Sequence, residues 1–229
     1  MKKHLSKELV DFIREKSSLK QDVFFKVKET FELFKHQLAN SIEECSGEVC
    51  ELDSRVKFSY RKKGEYECEI MFGGDALVFH HHSNVFQFDQ TSSLWKTGYV
   101  KADSTRAYVG VINVYNFLAD SLRFGRKEDI GYLIARIFIN KEGHYYVQGK
   151  GDLGVKHNNF GNTPIDQTAI LDIIESCIRF SLNFDLLIPP YEAVQSISVS
   201  DILSTQEQIT VATGKRLGFK FSFDDKDSQ

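Results

Sequence analysis

No run of this chain approaches the 18 or so consecutive apolar residues of a membrane-spanning helix. Its first residues, Met1-Lys2-Lys3-His4-Leu5-Ser6-Lys7-Glu8, lead into charged sequence and not into the apolar stretch of a secretory leader. Cysteine is scarce: Cys45, Cys50, Cys68 and Cys177 include no C-x-x-C pair. Cys68 and Cys177 stand within apolar periodic segments, so they are expected as reduced, buried thiols. Charge of either sign is scarce in excess. A formal net charge of −3 gives no overall attraction to nucleic acid or anionic lipid, and neither is expected as a partner. Motifs of catalysis are missing too, with no G-x-S-x-G elbow, no P-loop, no H-E-x-x-H and no kinase set. These absences favour a soluble, cytoplasmic, non-membrane protein.

What is present is aromatic. Nineteen Phe and nine Tyr in 229 residues, with 41% hydrophobic residues, supply ample area for a core. Leu5, Leu9, Phe12 and Ile13 recur at helical spacing over residues 5–16. Beyond a polar break at Ser17-Ser18, a long helix is expected from about Asp22 to Cys45, with Val27, Phe31, Phe34, Leu38, Ile42 and Cys45 as its stripe and Phe24 and Phe25 widening it.

After Ser54 the period becomes two. Val56, Phe58 and Tyr60 alternate with Lys57, Ser59 and Arg61, and Tyr66, Cys68, Ile70 and Phe72 alternate with Glu65, Glu67, Glu69 and Met71. With strands at 76–82 and 85–88, residues 56–88 read as a four-stranded antiparallel meander. A helix is expected at about 110–124, with Val111, Val114, Tyr115, Leu118 and Leu122 buried and Gly125 ending it. A hairpin over 132–148 turns at Asn140-Lys141-Glu142-Gly143. Thr163-Pro164 reads as the cap and first residue of another helix, carrying Ile170, Ile173, Ile174, Cys177, Ile178 and Leu182. A short helix near Ser200 to Gln208 and a final strand with Leu217, Phe219, Phe221 and Phe223 complete an α+β domain over 1–223, followed by a frayed polar tail, 224–229.

Three features bear on chemistry. Residues 149–154 spell G-x-G-x-x-G, but no helix opens within the motif as a dinucleotide fingerprint requires. A looser anion site is the reading there, with Lys150, Gly151 and Lys156 beside a helix start at Thr163. His80 and His82 share one strand face about 7 Å apart, a spacing suited to a divalent metal, with Asp75, Asp89, His144 and His157 available as a further ligand and no spacing that selects among them. From Gly74 to His82 the pattern is similar to the opening of a cupin metal motif and then departs from it, because Val85, Phe86, Gln87 and Phe88 stand where an acidic ligand is due. Glu65, Glu67 and Glu69 oppose Lys57 and Arg61, which reads as cross-strand ion pairing.

Two functions follow. The first is a non-catalytic interaction or assembly component that self-associates or joins a multi-protein complex, through the stripe of residues 22–45 or an edge strand at Phe219, Phe221 and Phe223. The alternative is a metal- or nucleotide-dependent enzyme with a histidine-lined strand face and a glycine-rich anion loop. No cofactor is favoured by the first, and a divalent metal is implied by the second.

Overall fold

A computed structural model describes residues 5–127, 129–184, 188 and 190–199. One helix, α1 (Lys7–Leu52), opens the fold, and its 46 residues give it a length of roughly 70 Å. Ser6 caps it, its hydroxyl accepting from the Leu9 N–H at 3.2 Å. The expected break at Ser17-Ser18 is absent. Serine costs a helix interior only about half a kcal/mol, no proline occurs between residues 7 and 52, and Leu19, Val23 and Val27 carry the apolar phase through the pair.

Seven strands follow: β1 (Phe58–Lys62), β2 (Glu67–Phe72), β3 (Asp75–His81), β4 (Phe86–Gln87), β5 (Tyr108–Leu118), β6 (Tyr132–Asn140) and β7 (Tyr145–Gly149). They form one antiparallel sheet in the order β1-β2-β3-β5-β6-β7, with β4 also on β5. This is the α+β architecture expected, with the 132–148 hairpin in place and Gly143 at its turn with φ +81°.

Two expectations need correction. Residues 110–124 are not a helix: β5 runs to Leu118, and only a short helix, α3 (Ala119–Arg123), follows, with Gly125 beyond it at φ +60°. β5 is central and apolar on both faces, so its residues run without alternation, and the i, i+3, i+4 spacing of Val111, Val114 and Tyr115 is coincidental. The fourth strand of the meander also does not pair with the third. β5 is 11 residues long and β3 only seven, so β4 takes the stretch of β5 that β3 leaves open, pairing Phe86 with Val109 and Gln87 with Tyr108.

The remaining helices are α2 (Gly98–Ala102), α4 (Leu153–Lys156), α5 (Gln167–Leu182) and α6 (Tyr191–Val194). The cap of α5 is Asp166, not Thr163: its carboxylate accepts from the Ala169 N–H at 2.7 Å, while Pro164 bridges to His144. Ile170, Ile173, Ile174 and Cys177 of α5 are buried as expected, and Leu182 is exposed. The expected helix at 200–208, the strand at 217–223 and the tail lie outside the described residues.

α1 and α5 share a core with one face of the sheet. Val23, Val27, Phe31, Phe34, Leu38 and Ile42 meet Ile70, Leu77, Phe79, Ile112, Val114, Ile137 and Ile139. The contact is closest at Gly110, where a β-carbon would stand 2.6 Å from Cγ2 of Val27. Cys45, expected on this stripe, is exposed with Cys50, while Cys68 and Cys177 are buried. Among the described residues no helix is long and apolar enough to cross a membrane.

Candidate functional site

The opposite face of the sheet is only partly covered. Alternation sends Val109, Val111, Asn113 and Tyr115 of β5, Arg136 and Phe138 of β6, and Tyr146 and Gln148 of β7 to this side, where they line a cleft of about 1010 Å³. The segment after β4 closes one end. Phe88 lies edge-on to Phe138 and Phe160, with ring centroids 5.3 and 5.5 Å away, and Leu94 and Trp95 pack beside it. The Trp95 indole N–H donates to the Phe88 carbonyl at 3.2 Å.

Strand register aligns one polar row across the cleft face. Glu67 pairs with His80, His80 with Asn113, Asn113 with Arg136, and Arg136 with Gln148. The next row is His82, Val111, Phe138 and Tyr146, since the His82 N–H donates to the Val111 carbonyl and Phe138 pairs with both Val111 and Tyr146. A polar line therefore lies against an apolar, aromatic one.

Two members of the polar row are chemically unsettled. Asn113 is only 8% exposed, and its side-chain amide makes no hydrogen bond among the described residues. Its amide opens onto the cleft floor, where it is free to meet a guest. Arg136 has no carboxylate within ion-pair distance among the described residues, unlike Arg61, Arg106, Arg123 and Arg179. Its Nε and Nη2 both donate to Oε1 of Gln148, the former at 3.1 Å, and its guanidinium stands 5.3 Å from the Phe138 ring centroid. Gln148 and Phe138 fix the plane of the fork while leaving donors of Nη1 and Nη2 for a guest.

Of the acidic residues expected to pair across strands, Glu69 does so and Glu65 does not. Glu69 is buried between Arg61 at 3.1 Å and Lys63 at 3.2 Å, while Glu65 pairs with Lys28 of α1, and that contact lowers its carboxyl and raises the lysine.

The four histidines among the candidate metal ligands occupy different surroundings. His80 and His82 do share the cleft face, with ring centroids 6.3 Å apart and planes nearly perpendicular. The His82 Nδ1 accepts from the Asn84 N–H at 3.1 Å, which puts the proton of its neutral ring on Nε2. His144 instead stacks on Tyr99 at 4.5 Å, in a clamp that ties the 97–107 segment to the β6–β7 turn. There Arg106 covers the Tyr99 ring at 4.3 Å and donates to Glu142, and the Tyr99 hydroxyl donates to Glu142 at 2.8 Å. His157 lies 3.1 Å from the Tyr145 hydroxyl and 2.9 Å from a carboxylate oxygen of Asp172. Among the described residues, no group of three His, Cys, Asp or Glu side chains is arranged to hold a metal.

The anion loop is more structured than its glycines imply. Leu153 of α4 and Phe160 are buried, the Lys150 N–H donates to the Ile134 carbonyl at 3.0 Å, and Gly151 turns the chain at φ +55°. Lys156 is paired with Asp172 at 3.5 Å, and the helix start expected at Thr163 lies at Asp166. Lys150 and Thr163 are exposed.

Asn113, Arg136 and Gln148 are absent from the residues singled out by sequence. Asn113 was hidden by the helical reading of β5. Arg136 did leave a signal, a lone charge amid Leu133, Ile134, Ala135, Ile137 and Phe138. No family model, no curated protein and no solved structure matches this chain.

Proposed function

We propose that this chain is a small-molecule-binding domain whose ligand, an apolar or aromatic body with a polar head, lies in the cleft on the open face of the sheet. The observation that carries the reading is Asn113, a residue only 8% exposed whose amide opens onto the cleft with no hydrogen-bond partner among the described residues. The volume, about 1010 Å³, suits a ligand of drug-like size, and the lining mixes apolar side chains such as Val111 and Phe138 with polar ones such as Asn113 and Gln148, as a guest with both kinds of surface requires.

Titration with the neutral fluorescent probe N-phenyl-1-naphthylamine tests it. Saturable binding is expected, weakened about ten-fold or more by Leu133→Trp, which adds bulk at a half-exposed residue of the cleft wall. Absence of saturable binding, or binding indifferent to that substitution, would overturn the reading.

Assembly is the second reading, and a separate observation favours it. Leu5, Leu9, Phe12 and Ile13, at the start of α1, are 68%, 41%, 62% and 49% exposed, an apolar strip that the described residues do not cover. A second copy of the chain is its proposed occupant, because Leu5, Leu9, Phe12, Lys16, Leu19 and Val23 step by four and three, the repeat by which like helices pair.

A further inference from the structure

We infer that the cleft selects ligands bearing a carboxylate on an aromatic body, with Arg136 receiving the anion and Asn113 supplying a second donor. The inference rests on the proposed binding function and specifies the chemistry of the head group.

Asn113 and Arg136 are directly paired in the β5–β6 register, so their side chains rise from neighbouring positions on the same face. One is a cation with no carboxylate partner, the other an amide whose NH₂ group is unused among the described residues. Gln148 uses its single acceptor oxygen on two N–H groups of Arg136, which orients the fork and consumes no counter-charge. A carboxylate satisfies both partners at once: it neutralises the guanidinium through paired N–H donors and accepts from the amide. A cationic head would face Arg136, and a hydroxyl would leave the charge unanswered.

The other charges at the site agree. Asp89, the carboxylate at the rim, is already occupied: its Oδ1 accepts from the Thr91 N–H at 2.8 Å and from the Thr91 hydroxyl. Glu67 stands at the far end of the polar row, separated from Asn113 by His80. The row therefore runs from negative at β2 to positive at β6, and orients an anionic head toward Arg136. Beside that end stand Phe138 and Tyr146, whose ring centroids are 6.0 Å apart and nearly parallel, a wall suited to a flat ring.

Calorimetric titration of the full chain with 2-naphthoate and with 2-naphthamide separates charge from shape. The acid is expected to bind ten-fold or more tightly than the amide, and Arg136→Gln to bring the two within about two-fold. Arg136→Lys, which keeps the charge but loses the planar fork, is expected to fall between them. On the wild-type protein, the preference for the acid is expected to shrink as salt is raised, a measurement that needs no variant to fold. Equal binding of acid and amide, both blocked by Leu133→Trp, would overturn the anion assignment and leave the cleft reading standing. A preference that survives Arg136→Gln in a folded protein, or that ignores salt, would overturn it as well. If neither compound binds, nor the neutral probe, both readings fall.

Discussion

His81 shows how far a single side chain can be set by what surrounds it. Its ring is buried among Phe24, Phe31 and Tyr66, with centroids 5.6, 5.7 and 5.5 Å away, and neither nitrogen has a hydrogen-bond partner among the described residues. Burial, and then the charges of His80, Lys35 and His82, push its pKa down to about 4. The folded protein therefore holds a neutral ring where the unfolded chain, at its ordinary value near 6.5, takes up a proton. That stability is whole above about pH 6.5, declines as the pH falls toward 4, and is flat below. His157, lowered by burial against the pull of Asp172, acts in the same direction. Thermal unfolding across this range is expected to show a loss of about 3 kcal/mol, and His81→Phe to remove the larger part of it. A variant that retains the full acid slope would assign the effect elsewhere.

Elements differ in how openly their sequence declares them. β1, β2 and the 132–148 hairpin were legible, since one side of each meets the core and the other meets charge, as in Arg61 against Glu69. β5 was not, because Gly110, Ile112 and Val114 face α1 while Val109 and Val111 face the cleft, and a strand apolar on both sides loses its period. The same loss concealed Asn113, and with it the floor of the candidate site. Of the site, only His80 and His82 were in view, for a different chemistry. The polar row depends on register among five strands, and pairing between distant segments leaves no mark in either one alone. Where α1 crosses β5, the fit is tight enough to test. Gly110→Ala places a methyl 2.6 Å from Val27 and is expected to cost about 1–3 kcal/mol in denaturant unfolding. Combining it with Val27→Ala opens room for that methyl, so the pair is expected to cost less than the sum of the two single changes. Strict additivity would mean that the crossing is looser than its geometry.

Across the whole molecule, the sheet divides two tasks. One face is spent on cohesion, filled by α1 and α5, and the other is left open as a cleft, bordered by Phe88, Asp89, Ser92, Ser93 and Leu94. α1 extends past the sheet at its start, where its apolar strip is bare among the described residues. If that strip joins two copies, Phe12→Asp is expected to shift light-scattering mass from dimer to monomer while leaving probe binding in the cleft unchanged. A monomeric wild type at high concentration would remove assembly from consideration.

The tether between Trp95 and the Phe88 carbonyl has a practical corollary. The chain holds a single indole, and that indole hangs from the backbone of a residue in the cleft wall. A guest that displaces Phe88 must disturb the indole's environment, so its emission becomes a built-in gauge of occupancy, readable in untagged protein and ready for screening compound libraries.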